Sequence, residues 1–342
     1  MENNAVFILN EYRMLQSLQK RDYSAAVSYS QSAAEAAREQ GDSWGFSRMA
    51  FQTGQLQHDL GLIQDAVATC RELLQSDAVK EHPEFDTRTR ALLARIFHND
   101  GQMHEALAVA WEAVNLPQTE LSAEARRSVQ HTLVSALAEE GDLEHAWAEA
   151  LILEEMHHGE TRPHTLGITY WVVANVAFMS SRLGEGSKYQ SLAAENLTKL
   201  DDVNLWAQFN KAMGHVRLVA GLTGPETLEC VERAEVAFEV AGGNDIDLYE
   251  VTITRAWWEL ESGNAAEAER LLRPLTEELA GPYPFLQARV LLLLSRALSS
   301  LEHQEEALKD AQQSEGIFNK LGADVYASEC REIIDSIGIG VS

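Results

Sequence analysis

Apolar residues in this chain recur three and four residues apart, the period of helices that bury one stripe. Between Thr89 and Val114 the pairs Leu93–Phe97, Ala106–Ala110 and Ala110–Ala113 keep that spacing on either side of Asn99-Asp100-Gly101-Gln102. Those four residues predict a turn, with glycine in the left-handed conformation that ends a helix. Ala106, five residues after the glycine, falls in the first turns of the next helix. Only a small side chain there lets the two helices lie close, so the stretch predicts a helix hairpin.

The same arrangement returns about every forty residues. The packing positions are Ala26, Ala66, Ala106, Ala146, Tyr189, Cys230, Ala268 and Ala307, with a glycine five residues earlier at Gly61, Gly101, Gly141, Gly184 and Gly263. Tyr189 is large for such a position and predicts splayed helices in the fifth repeat. The sixth has a longer turn, Gly221 to Pro225, with proline suited to a first helical position. Asp324 to Ile337 reads as one further amphipathic helix, with Val325, Cys330, Ile333, Ile334 and Ile337 as its apolar side. A fixed period of this size predicts stacked repeats. The expected fold is all-α: an α-solenoid superhelix of about eight hairpins over residues 5–322, closed by a capping helix over 324–338. All of residues 1–342 would then form a single repeat domain, although the length alone suggests two or three.

Gly54, Gly61, Ala66 and Cys70 in the second repeat, and Leu93, Phe97, Gly101, Ala106 and Ala110 in the third, resemble the tetratricopeptide pattern of small and large residues. The repeat is longer than the thirty-four residues of that family. Long-helix arrays of this sort look like the sensor domains of bacterial regulators. Those include peptide-binding quorum-sensing regulators and the C-terminal halves of some actinobacterial helix-turn-helix proteins. Such regulators carry a basic DNA-binding head in front of the array. Here Phe7 to Leu18 already reads as the first helix, and no segment has clustered Lys and Arg. The resemblance implies a sensor array without that head and without direct nucleic-acid binding.

Charge and composition narrow the function classes. The net charge of −26 repels nucleic acid and anionic lipid, and 45% hydrophobic content excludes bulk disorder. Cys70, Cys230 and Cys330 lie far apart, which fits a reducing cytoplasm and forms neither a disulfide framework nor a zinc site. Met1-Glu2-Asn3-Asn4 lacks the basic start of a secretion signal, and apolar runs such as Val290 to Leu294 fall far short of a membrane span. P-loop, dinucleotide, nucleophile-elbow and HExxH motifs are missing from the sequence. The run Glu154 to His164 holds carboxylates and histidines, but it falls at an inter-repeat loop, and adjacent histidines diverge on a helix. No enzyme activity, metal or cofactor is therefore expected.

In tetratricopeptide-like arrays the first helix of each repeat lines the groove. With the turn glycine as position 15, the resemblance implies groove residues at positions 2, 5, 9 and 12. In repeats two to eight, six of these 28 residues are Lys or Arg, four are His and one is acidic, against about two basic and four acidic at the average composition. That bias predicts an electropositive wall inside an acidic shell, able to draw in anions and fork carboxylates through arginine. The candidate binding residues are Arg48, Gln55, His58, Arg88, Arg95, His98, His131, Lys211 and His215, with Phe51, Trp171, Phe178 and Trp257 as apolar contacts. Asn175 is added because its amide both donates and accepts, as a peptide backbone does. The alternative is that these Arg and His side chains pair with Glu from neighbouring helices. The expected function is a non-enzymatic, cytoplasmic sensor binding a peptide or small anionic ligand. The alternatives are a protein-interaction scaffold, a homodimer among them, or the sensor half of a transcription regulator with a separate DNA-binding partner.

Overall fold

The computed structural model describes the chain except residues 1, 21, 100–101, 117–121, 160–161, 201, 282 and 341–342, and gives no side chains for 2–4, 98–99, 103 and 338–340. The described residues are all-α, without strands. They form two compact halves, Met1–Ser180 and Ser181–Ser342. The N-terminal half holds α1 (Glu2–Gln19), α2 (Tyr23–Gln40), α3 (Ser43–Asp59), α4 (Ile63–Gln75), the short α5 (Asp77–Glu81), α6 (Pro83–Asn99), α7 (Met103–Val114), α8 (Ala123–Glu139), α9 (Leu143–Glu155) and α10 (Pro163–Met179). The C-terminal half holds α11 (Leu183–Asn196), α12 (Val203–Val219), α13 (Pro225–Ala241), α14 (Asp245–Glu261), α15 (Ala265–Leu272), the one-turn α16 (Leu275–Glu278), α17 (Pro284–Ser300), α18 (Gln304–Leu321) and α19 (Asp324–Gly340).

Within each half, consecutive helices pack as hairpins and first helices also touch the next first helix: α3 on α6, α6 on α8 and α8 on α10, then α12 on α14 and α14 on α17. Side-chain oxygens start several of them, with Asp42, Ser122, Asp142, Asp202 and Asn244 each accepting a backbone N–H three residues on. Ala26, Ala66, Ala106, Ala146, Ala268 and Ala307 are all fully buried, as close approach of the paired helices requires. The approach is tight: a Cβ on Gly54 would lie 3.1 Å from the Cys70 sulfur, and one on Gly214 2.9 Å from the Val231 side chain.

Seven first helices (α3, α6, α8, α10, α12, α14 and α17) are each 17 residues long. This constant length corrects the register of the fifth repeat. The other first helices begin eighteen residues before a turn marker, as Ser43 does before Gly61 and Asp245 before Gly263. For α10 the residue at that distance from Pro163 is Ser181, which takes the left-handed conformation at φ 58°. Gly184 lies inside α11, and Gly186, five residues after Ser181, is the buried small residue. By this register Gly186 takes the place that alanine takes in the other repeats, and the splaying expected from Tyr189, itself buried, loses its premise. In the sixth repeat the fully buried Thr227 is the small residue nearest the turn; Cys230 lies one turn further on. Glu302, at φ 65°, does in the eighth repeat what Ser181 does in the fifth.

The closing helix α19 packs on α18 and α17. Cys330 and Ile337 are buried and Ile333 joins the neighbouring core, but Val325 is 72% exposed and does not belong to its apolar side. Among the described residues no helix is long and apolar enough to cross a membrane.

Candidate ligand-binding face

The corrected marker moves the fifth repeat by three residues. Its positions 2, 5, 9 and 12 become Ile168, Trp171, Asn175 and Phe178, so the fully buried Ala174 leaves the row. Position 9 then reads Gln55, Arg95, Ser135 and Asn175 in the N-terminal half, and His215, Trp257 and Arg296 in the C-terminal half. None of these seven is buried, although both neighbours of each on the helix surface include core residues. Position 2 is likewise unburied in every repeat, whereas Ala91, Ile253 and Leu292 at position 5 and Ala138, Phe178 and Leu218 at position 12 sit in the core. Phe178, 1% exposed, presents no surface to a ligand: position 12 has rotated into the helix–helix interface.

Most of the predicted cations are already matched by carboxylates. In the N-terminal half Arg48 Nη1 reaches Glu11 on α1 at 2.5 Å, and Arg88 lies 3.6 Å from Glu84 and over the Phe51 ring at 4.6 Å. Phe51 also packs against Phe85, with ring centres 6.3 Å apart. His58 Nδ1 lies 3.2 Å from Asp59. Arg95 on α6 is exposed and has no carboxylate partner among the described residues. On α8, burial first, and the Arg95 charge second, hold the His131 imidazole down at about 4, so it is neutral at neutral pH. Trp171 and Asn175 follow on α10, both part-exposed, and Asn175 Oδ1 is buried without a hydrogen-bond partner. The side chain of His98 lies outside the described residues.

In the C-terminal half Lys211 is held by Asp247 at 2.7 Å and Glu250 at 2.5 Å, and Gln208 donates to the same Asp247 at 2.8 Å. Burial opposes the Lys211 charge, but those carboxylates outweigh it and raise its pKa. Arg289 on α17 donates to His215 Nδ1 on α12 at 3.3 Å, reaching over the intervening α14, whose Trp257 ring lies 5.6 Å from the imidazole. Burial, then Arg289 and Lys211, hold His215 at about 3. Burial also lowers Arg289, against the opposing pull of Tyr326, Glu250 and Glu329. Arg296 pairs with Glu261 at 2.7 Å, and Trp257 Nε1 donates to the same carboxylate at 3.0 Å.

The electropositive wall read from the sequence is therefore thinner than its residue count. Two of its histidines are neutral, and four of its six cations are ion-paired. Glu11, Asp247, Glu250 and Glu261 stand on the preceding or following first helix and Glu84 one turn before Arg88 on its own helix; of these only Glu250 is among the counted positions. Three surface depressions of about 560, 460 and 410 Å³ lie elsewhere, around Arg270 and Arg273 in the C-terminal half and around Arg38 and Phe46 in the N-terminal half. None is lined by a residue of the candidate face. Among the described residues no group of three or more His, Cys, Asp or Glu is arranged to hold a metal. All three cysteines are buried; burial pushes Cys70 up to about 12 and raises Cys230 and Cys330 as well.

No protein-family model matches the chain, and comparison with curated sequences finds no relative. Solved structures share its fold. The apo form of the quorum sensor NprR from B. thuringiensis superposes with a TM-score of 0.64 at 15% identity, over 91% of this chain and 88% of that one. A tetratricopeptide repeat protein from Parabacteroides merdae gives 0.55 at 10% identity, over 86% and 99%. A Rap protein complexed with competence and sporulation factor gives 0.54 at 11%, over 93% and 76%. At these identities the likeness is one of fold: the chain is a tetratricopeptide-like array of helix hairpins, of the kind seen in those sensors.

Proposed function

We propose that this chain is a non-enzymatic, cytoplasmic binding protein that holds an extended peptide, free or as a segment of a partner, on the first-helix face of its N-terminal half. The carrying observation is Asn175. It occupies a row that stays unburied in every repeat, and its Oδ1 accepts nothing among the described residues. A buried acceptor left unmatched costs about 1–3 kcal/mol, which a ligand N–H would recover. A primary amide can take a peptide N–H on its oxygen and give its own N–H to the adjacent carbonyl. Trp171 beside it offers an apolar wall, and Arg95 a guanidinium that has no carboxylate partner among the described residues. The three depressions described lie off this face, and an extended ligand, unlike a compact small molecule, does not need a cleft of a few hundred Å³. That a quorum sensor and a factor-bound Rap protein share this fold supports the same reading.

Panning a displayed random peptide library on the purified chain tests the proposal. Enrichment of related sequences is expected, and Asn175→Ala should cut the affinity of the winners at least about tenfold, roughly 1.4 kcal/mol, with no loss of thermal stability. A library that gives no winners, or winners indifferent to Asn175→Ala, refutes it. Self-association of the chain without any winners would instead favour a scaffold. The observation behind that second reading is the row Ile8, Tyr12 and Leu15, each about half exposed on α1.

A further inference from the structure

Exposed apolar side chains gather on α1. Its Phe7, Met14 and Leu18 pack into the N-terminal core, while Ile8, Leu9, Tyr12 and Leu15 on the other side are each about half exposed. Residues 5, 8, 12, 15 and 19 alternate steps of three and four and are all exposed. That is the spacing of a seam that meets another helix, yet among the described residues no part of this chain covers it. The stripe carries no charge. Between Ala5 and Gln19 the only charged residues are Glu11 and Arg13, on its two flanks; Glu11 takes Arg48 at 2.5 Å and Arg13 lies over the Tyr29 ring at 5.7 Å. Gln16 donates to the Tyr12 hydroxyl at 2.8 Å and steadies the ring. The helix α13 also exposes valines, Val236 and Val240, but among Glu229, Glu232 and Glu239. In a chain of net charge −26, a second copy approaches at least cost over a neutral surface, and α1 offers one.

We propose that α1 is a dimer seam, on which a second copy of this chain lays its own α1 antiparallel about a twofold axis at Tyr12. The proposal deepens the self-association reading above and does not rest on the peptide one. The stripe is laid out alike in both directions from Tyr12: Ile8 and Leu15 stand one turn away on either side, Ala5 and Gln19 two turns away. A twofold contact is self-complementary, so Ile8 meets the partner's Leu15, Leu15 the partner's Ile8, and the two tyrosine rings meet at the axis. Opposed helix dipoles favour this direction over a parallel one. The net charge repels nucleic acid and anionic lipid, and a basic partner finds no acid within the stripe. Four large side chains, each half exposed, leave on the order of 400 Å² of apolar surface per copy. With Ala5 and the glutamine stems, the pair buries about 1,000 Å² in total, the lower bound of a specific interface. The dimer is therefore weak, with a Kd of about 10–100 μM.

Sedimentation equilibrium of the full chain over about 5–200 μM tests the seam, and a monomer–dimer equilibrium is expected within that range. Two acidic bodies repel while the seam itself is apolar, so raising NaCl from about 0.05 to about 0.5 M should tighten the dimer several-fold. A contact held by ion pairs would loosen instead. Tyr12→Glu should raise the Kd at least about tenfold at an unchanged melting temperature, because the ring is 57% exposed in the single chain. Cross-linking reads the orientation, since the three native cysteines are buried and stay out of mild oxidation. Tyr12→Cys should form a disulfide-linked dimer, and so should an equimolar mixture of Ile8→Cys and Leu15→Cys, whereas Leu15→Cys alone should not. None of these readouts involves Asn175, so the peptide reading is decided separately by its own panning experiment. A chain that stays monomeric at the top of the concentration range in both salts, a dimer that loosens with salt, or a dimer indifferent to Tyr12→Glu overturns the seam. Cross-linking of Leu15→Cys to itself overturns the antiparallel pairing.

Discussion

Acidification from about pH 7 to about pH 5.5 tests the environment of His131 and His215, the two neutral histidines of the candidate face. Both are held far below the ordinary imidazole value, at about 4 and about 3, mainly by burial and then by Arg95 or by Arg289 and Lys211. An unfolded chain protonates each ring near pH 6.5, while the folded chain does not until the lower value is reached. The folded state therefore keeps its full stability above about pH 6.5 and loses it as the pH falls through the window below. Between pH 7 and 5.5 each histidine costs about 1.2 kcal/mol, and the two together about 2.5 kcal/mol. Urea unfolding followed by circular dichroism at both pH values measures the loss. Glutamine keeps a neutral polar group, so His131→Gln and His215→Gln should each remove about half of it, and the double variant nearly all. Glu235, Asp310 and Glu329, which burial pushes up, act in the opposite direction. They are present in every variant, so they cancel from the comparison. A double variant that loses as much stability on acidification as the parent would show that neither ring is buried and neutral in the folded protein.

Two further comparisons test the packing and the register. Gly214→Ala gains about 1 kcal/mol of helix propensity but drives a Cβ to 2.9 Å from the buried Val231 side chain. It should destabilise by about 1 kcal/mol net. Gly316→Ala, on the open side of α18 with nothing within 4 Å, should stabilise by about 0.5–1 kcal/mol in the same thermal-melt assay. The reverse order would contradict the close approach of α12 and α13. Ser181→Gly should raise the melting temperature modestly, because a non-glycine residue in the left-handed region costs about 1 kcal/mol. Ser181→Val should lower it, and a null result for both would mean that Ser181 is not the turn marker.

The forty-residue period, the hairpin and the small residues at the contact were legible because each has a local cause: helical spacing, a left-handed turn residue, a Cβ that must be absent or small. The register of one repeat was not, because glycine is only the commonest occupant of a left-handed turn. Ser181 and Glu302 take the same conformation, and Gly184 three residues away drew the alignment off by almost one helical turn. The face of α10 was still partly found, since a three-residue slip on a helix returns to nearly the same side; Trp171 kept a face position, moving from 2 to 5, and Asn175 entered position 9. Charge was the least legible property. A count along single helices sees Arg48 and Lys211 but not the Glu11 and Asp247 that reach them from a neighbouring repeat, 37 and 36 residues away. Nor does it see that burial strips His131 and His215 of their protons.

The lengths of the helices bear on which face does the work. Every first helix from α3 to α17 has 17 residues, whereas the second helices range from 8 residues in α15 to 18 in α18. Equal first helices keep positions 2 and 9 aligned from one repeat to the next, so a ligand laid across them meets side chains at a constant spacing. Slack in the chain is taken up on the other layer, by a shortened α15 followed by a single turn, or by the longer Gly221–Gly224 turn before α13. Packing alone makes no such demand, since the alanine contacts sit near the hairpin turn and tolerate any length beyond it. A constant first layer beside a variable second one suits the extended ligand proposed for the first layer, on the row that contains Arg95 and Asn175.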